Sequence, residues 1–261
     1  MGGDRVNLPQ PCCDAAVPKP PALWTGETLA DVAANLALDE ALLEEAHEGR
    51  RDRTVVRTWV AETPAVVLGS SSRMTEEVDV DACRRLGVGV VRRPSGGLTV
   101  VTGPGCLMWS VIVPHPAGSP PIDAIHAAML DPLCQALAAA GRPVVRRGSS
   151  DLAIDVAGGL KVSGNALRVR RQAVLYHGTL LDEFDLDLVG TVLRHPPREP
   201  DYRGRRPHGA FLANLRLGRP ALEAAVRAAF GAVADPLPLP LDRVNRLVAD
   251  RYAAPAWTER L

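Results

Sequence analysis

The chain has 261 residues, 46% of them hydrophobic, and 30 basic side chains balance 30 acidic ones. That length can bury one substantial core, while zero net charge excludes a broad nucleic-acid-binding face or an acidic tail. No apolar run reaches the ~18 residues that span a bilayer, residues 1–10 lack the apolar segment of a secretory signal, and five cysteines without paired CxxC spacing give neither a disulfide framework nor a zinc site. A cytoplasmic protein with no membrane or nucleic-acid partner is expected.

Residues 1–23 carry five prolines and no hydrophobic period, which reads as a disordered leader. A helix is predicted from Thr28 to about His47, with Asn35, Asp39 and Glu40 as residues of its polar face. TVVRTWV (54–60) and AVVLG (65–69) read as two strands joined by a turn. Asp79 should cap a short helix ending at Gly87. The strand VGVVRR then leads into a Pro94-Ser95-Gly96-Gly97 turn, and LTVVT and CLMWSVIVP follow as strands around Gly103-Pro104-Gly105. Ile122, Ile125, Met129, Leu133 and Leu137 share a helical period, with Pro132 expected to kink or divide the helix.

The paired glycines Gly158-Gly159 predict a tight hairpin between DLAIDVA and LKVSGNALRV. AVLYHGTLL (173–181) is a strand, Asp185 opens a short helix, HPPREPDYRGRRP is a loop, and Arg219–Phe230 is helical with Pro220 in its first turn. An extended DPLPLPL tail and a last helical piece in RVNRLVADRY complete the chain. Strands and helices mix without βαβ alternation, so the fold class is α+β, with a mixed, largely antiparallel sheet flanked by helices.

Among the 30 lysines and arginines only Lys19 and Lys161 are lysine. An ammonium is a compact point charge and guanidinium a wide planar fork, so Lys161 suits a site that places one positive charge beside a small acyl or phosphoryl oxygen. A solvated lysine at a hairpin end is the other reading. Arg92, Arg93, Ser95, Gly96 and Gly97 form a candidate phosphate cradle, because glycine beside cations lets backbone N–H groups approach an anion. Neither a Walker A nor a GxGxxG pattern is present.

NLALDEALL, RTWV with PAVVLG, RRPSGG, SDLAID, LKVSGNALR and YHGTLL occur in an order and spacing that resemble the lipoate-protein ligase family, within the biotin and lipoate ligase (class II synthetase-like) catalytic domain. The resemblance covers residues 24–230 and leaves 231–261 as an extension without the accessory domain that many ligases of this family carry. It implies lipoate in an apolar tunnel, ATP or lipoyl-AMP in a curved pocket, and Mg²⁺. Arg93, Ser95, Gly96 and Gly97 would hold the adenylate phosphate and the carboxylate end, Asp151 the nucleotide and magnesium, and Lys161 the oxygens between acyl carbon and phosphate. Ser163, Gly164 and Asn165 would line the adenosine side, and His177 and Gly178 the acyl pocket. The implied partners are apo lipoyl domains of 2-oxoacid dehydrogenase complexes or the glycine cleavage H protein, with a separate accessory subunit as a further one.

The chain departs from the family where SGGG and a His-Asp pair usually stand. It has Leu98, Thr102, Gly103 and Cys106 there, which weakens the expectation of efficient adenylation. Two rivals follow. A lipoyl or octanoyl transferase would take a pre-activated acyl group, and its cysteine-dependent form needs a thiolate that VRRGSS (145–150) does not supply, while Cys106 reads as a small buried residue. A non-catalytic lipoyl-binding homologue would keep the fold alone.

Overall fold

The computed structural model describes residues 21–115, 117, 118, 120–156 and 158–261. The leader expected over residues 1–23 therefore lies outside the described residues up to residue 20, and a strand begins at its last residue, Leu23.

Twelve strands are described: β1 (Leu23–Thr25), β2 (Val55–Trp59), β3 (Ala65–Leu68), β4 (Gly89–Arg92), β5 (Val100–Thr102), β6 (Cys106–Pro114), β7 (Val145–Arg147), β8 (Asp151–Ile154), β9 (Leu160–Ser163), β10 (Asn165–Arg170), β11 (Ala173–Leu181) and β12 (Val233–Ala234). The helices are α1 (Val32–His47), α2 (Met74–Glu77), α3 (Val80–Leu86), α4 (Ile122–Ala139), α5 (Leu186–Val192), α6 (His208–Phe211), α7 (Arg219–Ala229), α8 (Leu241–Leu247) and α9 (Pro255–Thr258). No helix among the described residues is long and apolar enough to cross a membrane.

The strands form three sheets rather than one. The largest runs β10-β11-β6-β2-β1-β12, and two smaller ones run β4-β3-β5 and β7-β8-β9. The mixed, largely antiparallel character expected from the sequence is present: β11 pairs antiparallel with both β10 and β6, whereas β1 pairs parallel with β2 and β12. β2 and β3, adjacent in sequence, belong to different sheets, so the turn between them links two layers instead of closing a hairpin.

Alternation along β6 and β11 divides the core into two halves, because successive side chains leave opposite faces. Met108, Ile112 and Leu175 pack with α1 and β3 on one face, while Trp109, Val111 and Tyr176 pack with α4 and α7 on the other. The α1 helix is covered nearly all round, which corrects the reading of its polar residues: Asn35, Asp39 and Glu40 are buried, not on a solvated face. Its cap is Asp31, whose carboxylate accepts the Ala34 N–H at 2.7 Å, three residues beyond the Thr28 expected. The Asp79 cap and the left-handed Gly87 stop of α3 stand as predicted.

The α4 helix runs through Pro132 as one element; burial of Leu130, Leu133 and Leu137 on its inner face outweighs the backbone hydrogen bond that proline removes. Ile122, expected on that stripe, is exposed.

Residues 231–261 are stitched into the fold. The β12 strand extends the main sheet, and Tyr252 donates to Glu40 at 2.8 Å across α1. Arg92, fully buried, donates to the carbonyls of Gly69, Ser72, Trp257 and Thr258, and the Trp257 indole donates back to the Arg92 carbonyl at 2.8 Å. This corrects the phosphate cradle at one position: Arg92 serves as a clasp for the chain terminus on the side away from the site, where alternation along β4 sends it.

Candidate active site

The β8–β9 hairpin delivers one pair of charges. Gly158 and Gly159 both take positive φ, as the glycine pair predicts, and turn β9 so that the Lys161 ammonium meets the Asp151 carboxylate at 2.8 Å. The lysine is not the solvated hairpin end of the alternative reading. Its side chain is 24% exposed and lies along the wall of a cleft of about 670 Å³, which Gly97, Asp151, Gly164, Asn165, His177 and Gly178 also line.

Gly164 lets the chain leave one sheet for another. The β9 strand ends at Ser163 and β10 starts at Asn165, and a Cβ on Gly164 would stand 3.2 Å from both Cε and Nζ of Lys161. The lysine stem thus crosses the floor that glycine leaves bare. Asn165 binds the crossing together, donating to the Ser150 carbonyl at 2.7 Å and accepting from the Ser163 hydroxyl at 3.1 Å. Opposite it, Gly178 has no room for a side chain: a Cβ there would fall 1.7 Å from the Asn165 amide oxygen.

The RRPSGG turn is built from beneath. Arg93 is buried, and its guanidinium donates to the Ser95 hydroxyl at 3.0 Å and to the carbonyls of Val67, Gly96 and Leu98 at 3.1, 2.6 and 2.9 Å. Arg93 thus holds the loop from inside while also reaching the cleft lining, with burial pulling its pKa down to about 10. Ser95 and Gly96 lie behind the cleft wall, and Gly97, at φ +84°, is the glycine that reaches the cleft. Glu77 fastens the far end of the turn, accepting from the Thr99 N–H at 2.9 Å, the Thr99 hydroxyl at 2.7 Å and the Ser72 hydroxyl at 3.1 Å.

Gly69 fits under this turn with nothing to spare, since a Cβ would lie 1.8 Å from the Gly97 carbonyl oxygen. Gly69→Ala is expected to cost about 1–3 kcal/mol through overpacking and to displace Gly97. A thermal melt should show the first effect, and calorimetric titration with a non-hydrolysable acyl-adenylate analogue should show weakened binding; a variant matching the wild type in both would refute the packing argument.

Behind His177 runs a buried polar chain. Its Nε2 lies 2.6 Å from the Ser95 hydroxyl and its Nδ1 lies 3.7 Å from Asp39. Asp39 in turn accepts from Arg57 at 2.8 Å and from Ser110 at 2.9 Å. Burial works against the Asp39 charge, but Arg57 and His177 outweigh it and hold the carboxyl below its ordinary range.

Beyond Lys161 a second hollow of about 120 Å³ opens between Val100, Val101, Leu193 and Phe211, with Lys161, Ser163 and Gly164 at its border. Leu98 borders both spaces. The described cysteines lie away from the cleft; burial pushes the Cys106 thiol up to about 12 and the Cys134 thiol to about 11.

Sequence reading missed Tyr202, whose hydroxyl donates to Asp151 at 2.8 Å, together with Glu77, Gly69 and the Asp39–Arg57 pair. Of these, only the pair left a trace, as charged residues inside apolar runs. Tyr202 sits in a loop without periodicity and left none.

Comparison with known proteins places this architecture. Residues 31–230 match the model of the lipoyl protein ligase A/B catalytic domain. A provisionally named lipoate-protein ligase A of Aeropyrum pernix is 35% identical over 56% of this chain, a segment that covers 52% of that relative's length. Octanoyltransferase LipM of Symbiobacterium thermophilum is 31% identical over 76% of the chain and 79% of its own length, and LipM of Anoxybacillus flavithermus is 29% identical over 63% and 66%. Against the Aeropyrum and Anoxybacillus relatives, then, the chain spans about half and just under two thirds of their lengths. The fold is that of the bi-partite lipoate protein ligase of Thermoplasma acidophilum, which was described with its E2 lipoyl domain (TM-score 0.80, 23% identity, 92% of this chain and 96% of that one). It is also that of a lipoate-protein ligase A bound with ATP (TM-score 0.75, 23% identity, 92% and 98%). The chain therefore belongs to the lipoyl protein ligase A/B catalytic domain family.

Proposed function

We propose that this protein joins lipoate, through lipoyl-AMP, to a lysine of an acceptor lipoyl domain. The observation that carries the reading is Lys161, a single ammonium held at the junction of a roomy cleft and a smaller apolar hollow. The cleft gives an acyl chain apolar walls at Leu36, Val67 and Met108. The hollow offers a flat base the faces of Val100 and Leu193, on the side assigned by resemblance to adenosine. An acyl adenylate is a mixed anhydride. When the acceptor amine attacks its carbonyl carbon, negative charge gathers on the carbonyl oxygen and on the departing phosphate, and an ammonium at the junction meets both. Holding the reactants in one cleft supplies the entropic part of the acceleration.

The acceptor brings the nucleophile, so the protein needs no thiolate. Among the described residues none is offered, because Cys83, Cys106 and Cys134 lie away from the cleft and burial raises the pKa of each thiol. Asp151 fits a magnesium ion brought in with phosphate, since one carboxylate plus phosphate oxygens is an ordinary Mg²⁺ set, whereas no group of three or more His, Cys, Asp or Glu among the described residues is arranged to cage a metal. Bound there, the ion would neutralise phosphate charge.

A second reading, transfer from a pre-activated donor, draws support from the LipM relatives and from Thr102 and Gly103 standing where the ligase pattern has His-Asp. The deciding experiment weighs an apo lipoyl domain by mass spectrometry after incubation with the protein, Mg²⁺ and one of three donors: lipoate with ATP, lipoyl-AMP, or an octanoyl-carrier thioester. Labelling from the first two is expected. Labelling from lipoyl-AMP alone would reduce the protein to a transferase, and labelling from the thioester alone would overturn the proposal.

A further inference from the structure

Lys161 and Asp151 form a pair with a third member, contributed by a loop more than 40 residues away. Asp151 is nearly buried. One of its oxygens meets the Lys161 ammonium at 2.8 Å, and the other accepts the Tyr202 hydroxyl at 2.8 Å. The carboxylate is therefore spanned from both ends, with its orientation set by a charged contact on one side and a neutral donor on the other.

The loop is built to hold that hydroxyl. Tyr202 begins as part of a single helical turn, Asp201–Arg203, and its ring lies over the two hairpin turns that flank β8. A Cβ on Gly159 would stand 3.3 Å from Cδ2 of that ring, and one on Gly148 would stand 3.2 Å from Pro200 and 3.8 Å from Tyr202 Cε1. Arg206 fastens the loop to the same hairpin, donating to the carbonyls of Gly158, Gly159 and Tyr202 at 2.6, 2.9 and 2.8 Å. The other side of the ring packs on Phe211 with centroids 5.2 Å apart. Tyr202, Glu199 and Pro200 also line the cleft, so the loop that forms its rim is the loop that fixes Asp151.

We infer that Tyr202 is a positioning residue for Lys161, acting through Asp151. An ammonium on a four-carbon stem has many rotamers, and the bare floor at Gly164 leaves this one free to swing. A carboxylate pinned at its far oxygen confines the amine to one arc, facing the junction of the two hollows, whereas an unpinned one would turn with it. The inference rests on the ligase reading for its kinetic consequence and on geometry alone for its structural one.

The test uses Tyr202→Phe in the full chain, which removes the hydroxyl and keeps the ring over its glycines. With lipoyl-AMP as donor, kcat for acceptor labelling should fall about 10-fold, the loss of a hydrogen bond to a charged group, while KM for donor and acceptor stays within about twofold. Combined with Asp151→Asn, the variant should lose no more than Asp151→Asn alone, as expected of residues acting through one another. A second readout needs no activity. Lys161 and Lys19 are the only lysines in the chain, so acetylation by acetic anhydride, mapped by mass spectrometry, gives the reactivity of Lys161 against an internal reference. That ratio should rise several-fold in Tyr202→Phe as the amine is released. A wild-type ratio overturns the inference whatever kcat does, and so does a multiplicative loss in the double variant. Should the wild-type protein label no acceptor from any donor, the ligase reading fails, and the acetylation ratio still decides the role of Tyr202.

Discussion

Replacing Lys161 by alanine is expected to lower acceptor labelling from lipoyl-AMP by about 10²–10³-fold with the fold intact. The size follows from the chemistry: a donor that meets an oxyanion in a partly enclosed site is worth about 3 kcal/mol of transition-state stabilisation. The loss in stability should be modest, about 1–3 kcal/mol, because Asp151 is nearly buried but lines the cleft through which water can reach it. Asp151 also keeps its Tyr202 hydrogen bond when the amine is gone. Lys161→Arg should fail to restore the rate. A wide planar guanidinium spreads its charge over a fork and cannot set a compact point charge where the ammonium stood. Measurement of kcat and KM on the same preparations checks this, since a donor acting only in the transition state leaves KM nearly unchanged. Labelling at wild-type rate by the alanine variant would remove the proposed role.

The elements that carry the site were legible because their constraints are local. Gly87 and Asp79 announce α3 by capping chemistry, and the apolar run of β11 fixes its bounds to the residue. Gly158-Gly159 announces the hairpin by its positive φ. Lys161 stood out through composition, as one of two lysines in an arginine-rich chain. Elsewhere the determinants act over long range. Whether β2 and β3 make a hairpin or enter separate sheets depends on what covers each face. That Arg92 turns to the chain terminus and Arg93 to the loop depends on alternation about a strand whose inner side was unknown. Tyr202 reaches Asp151 across 51 positions from a segment with no period. Asp39 was the most misleading: a carboxylate in a helical stripe ordinarily faces water, and its guanidinium partner is 18 residues away on β2.

That buried pair supports the second large prediction. Arg57 is fully buried and contacts Asp39, Asn35 and the Glu27 carbonyl, with its guanidinium 5.6 Å from the Trp59 ring centroid. Arg57→Met keeps most of the stem and removes the charge, leaving Asp39 a buried anion with only Ser110 and His177 against it. The expected loss is about 3–5 kcal/mol, a fall in Tm of roughly 10 °C for a chain of this length. Adding Asp39→Asn should recover much of it, since replacing both members of a buried pair is far milder than breaking it. The pH dependence should also reverse. In the wild type the Asp39 pKa is depressed below its ordinary 3.8, so the folded protein binds fewer protons than the unfolded chain over that interval. Its contribution is therefore whole above about pH 4 and is lost as the pH falls through the folded value. Without Arg57, burial raises that pKa instead, and the variant should gain stability as the pH is lowered from 7 toward 5 and the carboxyl takes up its proton. Urea melts of both proteins across this range read the two slopes directly; parallel curves would mean that Arg57 is not what keeps Asp39 charged, and that the chain from Asp39 through His177 to Ser95 holds the turn by packing alone.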